Sequence, residues 1–141
     1  MTRVDFYFNA SDKLGVITKL LFKSVNSGFH VFVHMRDAHM LHQFDQYLWQ
    51  SRPLSFLPHV LSDHPSAAQT PVVIGPDPGS ISKFDILINY EPLIPEYFSR
   101  FDRLLEVVSQ DTGERELSRD HYRFFKQRGY PVYSHDLKAD R

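Results

Sequence analysis

Apolar and polar positions follow two different periods along this chain. Val4-Asp5-Phe6-Tyr7-Phe8 is a short run rich in aromatic and β-branched types and predicts a first strand. Ser11 or Asp12 can cap the helix that follows, in which Leu14, Ile17, Leu20, Leu21 and Val25 recur at helical spacing. Gly28 stands where a left-handed residue would close that helix. Phe29-His30-Val31-Phe32-Val33 then reads as a second strand, and Asp37 can cap a second helix striped by Leu41, Phe44 and Leu48. Strand, helix, strand, helix with short joins predicts a parallel, right-handed βαβ arrangement.

The middle is less regular. Residues Ser51 to Ser82 hold six of the nine prolines, and Pro71, Pro76 and Pro78 bracket a short strand at Val72-Val73-Ile74. Phe84-Asp85-Ile86-Leu87-Ile88 carries apolar residues without strict alternation, as a strand buried on both faces does. Glu96 to Arg103 is predicted helical. Leu104 to Val108 could extend that helix, but is read here as a strand. Thr112-Gly113 opens a last helix running to about Arg128, with Gly129 at its end and Pro131 blocking continuation. The expectation is one α/β domain over residues 1–141, three layers thick, with helices on both faces of a mostly parallel sheet.

The last helix carries the clearest chemical pattern. At about 100° per residue, Arg115, Arg119, Tyr122, Arg123 and Lys126 share one sector, and Leu117, His121 and Phe124 lie roughly opposite. Glu114, Glu116 and Asp120 fall outside the basic sector. Like charges at successive i+4 positions cost a few tenths of a kcal/mol per pair, so the row points to an anionic partner rather than to helix support. Phosphates and an acidic peptide with its terminal carboxylate both suit arginine forks. A solvated basic face is the plain alternative.

Composition narrows the choice. A formal net charge of −1 speaks against a general nucleic-acid coat and favours the peptide. With 42% hydrophobic and 23% charged residues the chain is an ordinary globular mixture, but 14% aromatics is high and supplies interface anchors as well as core. The absence of cysteine removes disulfides and thiolate metal sites. No secretory h-region and no long apolar run occurs, so the expected place is the cytoplasm, with no membrane contact. His34, His39 and His42 are close in sequence but lack metalloprotease spacing, and no metal or other cofactor is expected. No phosphate-binding glycine loop follows the first strand, and no nucleophile elbow is present. The fold is therefore expected to be Rossmann-like without a nucleotide-binding loop.

A stiff segment follows the second helix: Leu48-Trp49-Gln50-Ser51-Arg52-Pro53-Leu54-Ser55-Phe56-Leu57-Pro58-His59. Its aromatics serve either as a plug under the loop or as an interface anchor. Here the chain resembles the chi subunit family of bacterial DNA polymerase III. The resemblance rests on Asp45-x-x-Leu48-Trp49 followed by Ser55-Phe56-Leu57-Pro58-His59, on the Phe6-Tyr7 strand, on Asp85-Ile86-Leu87-Ile88, and on Leu117-Ser118-Arg119-Asp120-His121-Tyr122-Arg123. The order and spacing agree over essentially the whole length.

The resemblance implies a non-catalytic subunit of the replicative polymerase. It would bind the acidic C-terminal tail of single-stranded DNA-binding protein, and so meet DNA only indirectly. Where the psi subunit exists, chi would also reach the clamp loader through it. The family's tail-binding arginine falls on Arg119, with Arg115, Tyr122 and Arg123 beside it and Lys126 continuing the row. The psi-facing surface falls on Trp49, Phe56 and Pro58. Two rivals remain: a small metal-dependent nucleotide hydrolase using Asp5 or Asp85, and a direct binder of single-stranded DNA using the basic row.

Overall fold

The computed structural model describes residues 1–51, 57–79 and 81–138. In chain order the elements are β1 (Arg3–Ala10), α1 (Lys13–Asn26), β2 (Val31–His34), α2 (Ala38–Ser51), β3 (His59–Leu61), β4 (Val72–Gly75), β5 (Ile86–Asn89), a 3-10 turn (Glu96–Arg100), β6 (Arg103–Ser109), α3 (Thr112–Gln127) and β7 (Val132–Asp136). Local chemistry sets the helix ends. The Asp12 carboxylate accepts the Gly15 N–H at 3.1 Å, that of Asp37 the His39 N–H at 3.1 Å, and that of Asp111 the Glu114 N–H at 3.0 Å. Gly28, just past α1, has φ +87°, which a residue with a Cβ adopts only at a cost.

The seven strands form one sheet in the order β3-β4-β2-β5-β6-β1-β7, with every pairing parallel. From β1 the chain steps one way across the sheet through β2 to β3. It then returns through β4 and β5 to β6, and ends at β7 beyond β1. Right-handed crossovers in opposite directions must lie on opposite faces. One core cluster accordingly packs Ile17 and Leu21 of α1 and Phe44 and Leu48 of α2 against Val31, Val33, Ile88 and Leu105. The other packs Phe98, Phe101 and Phe125 against Phe32, Val73, Leu87 and Leu104. Neighbouring residues such as Val31 and Phe32 thus enter different cores, which is why these strands read as continuous apolar runs.

The expected fold class is observed, with the sheet parallel throughout. The helix predicted for Glu96 to Arg103 is a correction: only a 3-10 turn forms, and Arg103 already belongs to β6. Pro95 starts the turn without a side-chain cap, and Phe101 ends it in extended geometry. Leu104 to Val108 is strand, as read. Strands β3 and β7 were not predicted. Among the described residues no helix is long and apolar enough to cross a membrane.

Candidate functional site

Helix α3 is held by its inner side. Phe125 is fully buried and His121 nearly so, whereas Leu117 and Phe124 flank them and are only partly covered. The inward stripe therefore centres nearer Phe125 than the sequence projection placed it. Rotation about that stripe leaves Arg115, Arg119, Tyr122, Arg123 and Lys126 all exposed, as the helical spacing predicts.

The structure separates these five into two groups. Arg115, Arg119 and Tyr122 border a hollow of about 230 Å³ between α3 and the sheet. Its floor is supplied by Phe6, Phe8 and Val108, and Ser134 of β7 stands on its far side. Tyr122 tilts over Phe6 with ring centroids 5.7 Å apart, so it forms part of the apolar wall. Arg123 and Lys126 do not line this hollow. Arg123 is paired with Asp120 on its own helix, and the Lys126 ammonium lies 5.6 Å from the Tyr122 ring centroid. Among the described residues Arg115 and Arg119 form no salt bridge. Two guanidinium groups at the mouth of an aromatic-floored hollow can take an anion joined to an apolar group.

The floor residues are missing from the sequence reading. They come from strands distant in sequence, and the only available signal was Phe6 and Phe8 on one face of β1 at period two.

A larger crevice, about 410 Å³, opens at the C-terminal ends of β5 and β6. In parallel α/β sheets ligands lie where adjacent strands send their connections to opposite faces, as β1 and β6 do here. In this chain an ion pair crosses that place: Lys13 Nζ lies 2.8 Å from Glu114 Oε1. The same carboxylate accepts the Ser109 N–H at 3.1 Å and the Ser109 hydroxyl at 2.9 Å. Burial pulls the Glu114 carboxyl upward, but these donors outweigh it and hold the group below the usual carboxylate range. A carboxylate thus occupies the first turn of α3, where a phosphate would otherwise be received. Deeper in, Glu106 faces Asn89 Nδ2 at 3.2 Å and His121 Nδ1 at 3.3 Å. Glu91, Glu106 and Glu114 against Lys13 make the crevice acidic.

The carboxylates of the hydrolase rival are engaged elsewhere. Asp5 is fully buried and bound by Arg3, Arg103 and His135, while Asp85 accepts the His30 N–H at 2.8 Å. His39 and His42 are exposed on α2, and His34 is buried with the Tyr97 hydroxyl 2.5 Å from its Nδ1. Among the described residues no group of three or more His, Asp or Glu is placed to hold a metal.

The other sequence-predicted surface has its own geometry. Trp49, half exposed, lies with its ring 4.5 Å from that of buried His59. His59 Nε2 is 3.0 Å from Asp45 Oδ1, and its Nδ1 is 2.8 Å from the Leu57 carbonyl oxygen. The spacing of Asp45, Trp49, Leu57 and His59 is thereby explained as one cluster, with Leu48 and Leu57 turned into the core. Pro58 is half-buried beside it, and Phe56 lies outside the described residues.

Comparison with known proteins gives consistent results. The family model for "DNA polymerase III chi subunit, HolC" matches residues 1–133. A DNA polymerase III subunit chi of Pseudomonas aeruginosa is 33% identical over 141 residues, covering 97% of this chain and 98% of the relative. Subunits of the same name from Haemophilus influenzae and Escherichia coli are each 27% identical, over 112 and 105 residues. The first of these two alignments covers 79% of this chain and 78% of the relative, the second 74% and 71%.

Proposed function

The chain belongs to the DNA polymerase III chi subunit family, and on that premise we propose that it is a non-catalytic cytoplasmic adaptor that captures the acidic C-terminal tail of single-stranded DNA-binding protein. The observation that carries this reading is the pairing of Arg115 and Arg119 with the hollow floored by Phe6, Phe8 and Val108. A peptide ending in Pro-Phe presents two groups at once, a terminal carboxylate and an aromatic ring. The guanidinium forks hold the carboxylate in charge-assisted bonds while the ring enters the hollow against Phe6 and Tyr122. Acidic residues upstream run toward Arg123 and Lys126. Because the arginines are exposed, the contact is moderate in strength and falls with salt.

The Trp49–His59 cluster gives the same adaptor a second contact, toward psi and through it the clamp loader. Half-exposed Trp49 and half-buried Pro58, with Phe56 between them in sequence, are the residues assigned to it. The non-catalytic reading is supported by Asp5 and Asp85 being taken up in internal bonds.

Titration calorimetry with a tail peptide from the organism's own single-stranded DNA-binding protein tests the proposal. Wild type should bind one peptide, and Arg119→Ala should weaken it at least about tenfold, or roughly 1.4 kcal/mol. A peptide without its terminal Phe should lose as much. Equal binding of both peptides, or no binding at low salt, would refute tail capture by this hollow.

A further inference from the structure

The face of β1 and β7 that points away from α3 is built from a different set of side chains. In the parallel register Tyr133 stands opposite Asp5, and His135 opposite Tyr7, so all four share this face. Arg3 stands opposite Arg103 of β6 at its N-terminal end. Helix α1 packs toward β2 and β6, and the helix that contacts β7 is α3, on the other side. At the C-terminal end of this face α1 borders Tyr7 and Leu137, whereas Tyr133, further toward the N-terminal end, is exposed.

Its charge is arranged in depth. The Asp5 carboxylate lies at the bottom, fully buried. Arg3 grips it with two hydrogen bonds of 3.0 Å, Arg103 Nε adds one of 2.8 Å, and His135 Nε2 lies 2.9 Å away. Two guanidinium groups thus answer one carboxylate, and they are the part that meets water, 46% and 33% exposed. Exposed Asp102 and half-buried Asp136 stand beyond the two ends, the latter hydrogen-bonded by Asn9 at 2.8 Å. The rings are equally fixed. The Arg3 guanidinium lies 4.2 Å from the Tyr133 ring centroid, and His135 stacks on Tyr7 at 4.5 Å with 16° between planes. Tyr133 is 48% exposed.

We infer that this face is a stacking platform for single-stranded nucleic acid, separate from the hollow on α3. Tyr133 and His135 are two residues apart on one strand, about 7 Å, which gives room for two successive bases. Arg3 takes one face of the Tyr133 ring and Tyr7 one face of the His135 ring; the other faces are offered to unpaired bases of any sequence, and the guanidinium groups beside them to the backbone phosphates. The buried carboxylate holds both arginines in place before a ligand arrives, so little side-chain freedom is lost on binding. An acidic peptide could use the arginines but would leave the ring faces unused. A duplex keeps its bases stacked and cannot offer them.

The test is fluorescence anisotropy with a labelled oligothymidylate of about 12 nucleotides, a length typical of such sites, at about 20 mM salt and again at about 150 mM. Wild type should bind saturably at the lower salt, more tightly than it binds a duplex of equal length. Tyr133→Ala should weaken binding about tenfold, the loss expected for one stacked base, and Arg3→Gln should lower both affinity and its salt dependence. Arg119→Ala should leave oligonucleotide binding within about twofold. Because Tyr133 is half exposed the variant should keep its fold, checked by circular dichroism, and thymine photocrosslinking to Tyr133 gives a second reading. Absence of binding at low salt overturns the inference. So does loss in Arg119→Ala with retention in Tyr133→Ala, equal binding of the duplex, or complete displacement by polyglutamate at equal charge.

Discussion

His34 offers a way to test the packing of the sheet by acid alone. It ends β2 and is 4% exposed, with the Tyr97 hydroxyl 2.5 Å from its Nδ1. Burial, helped by the nearby Arg36 charge, lowers its pKa from 6.5 to about 4. The unfolded chain therefore takes up the proton first as pH falls. The neutral ring's contribution to stability is complete above the unfolded value and is lost progressively between the two. Linkage over that interval gives a loss of about 2 kcal/mol from this one group between about pH 7.5 and about pH 5. The assay is urea denaturation at both pH values for wild type and His34→Gln. The variant loses its Tyr97 contact at either pH, so comparison within each protein removes that cost. Contributions from all other groups are common to both proteins and cancel. Wild type should lose about 2 kcal/mol more than the variant on acidification. Equal losses would show that His34 is protonated at no cost in the folded chain, and the reasoning from burial would fail.

Three further outcomes follow from named contacts. Phe125→Ala empties a fully buried site packed against Phe98 and Tyr130 and should cost about 3–5 kcal/mol by denaturant titration. Asp111→Ala removes the cap of α3 and should cost about 1 kcal/mol, visible as a fall of a few degrees in Tm. Burial alone would raise the Asp5 carboxyl, but hydrogen bonds from Arg103, His135 and Arg3 hold it below 3.8. Its stabilisation is thus present above that value and lost as pH falls through the lower folded one. Asp5→Asn should cost about 3 kcal/mol at neutral pH, near the lower end for a broken buried pair because both arginines keep contact with water. That variant should also lack the corresponding component of acid unfolding, read by circular dichroism.

Most of the layered fold was legible in the sequence because its helices begin at side chains with a local role, Asp12 and Asp37, and its inner strands are apolar on both faces. The two strands that escaped lie at the sheet's edges. Val132-Tyr133-Ser134-His135-Asp136 has one paired neighbour and faces water in part, so its composition is that of a polar tail. Residues Glu96 to Arg100 carry helix-forming types, yet Phe98 and Phe101 are drawn into the core one after the other and the turn closes early. The basic row on α3 was legible because one helix carries all of it. Periodicity cannot show which cations meet a hollow, because that depends on β1, β6 and β7 arriving beneath them. The link between Asp45 and His59 was visible as spacing, and its cause appears only when Trp49 lies over the imidazole.

The position of β1 has a consequence for how the protein is made. It leaves the ribosome before the other six strands of the sheet, but its neighbours in the sheet are β6 and β7, the latest of the seven. Until then Phe6 and Phe8 have neither a strand beside them nor α3 above them. The nascent chain can gather β2, β4 and β5 early, but the corner holding the hollow closes only once β6, α3 and β7 have followed. A chain cut short after α3 would lack β7, and with it Ser134 from the wall of the hollow. The hollow is in this sense a late product of translation, however early β1 lays down its floor.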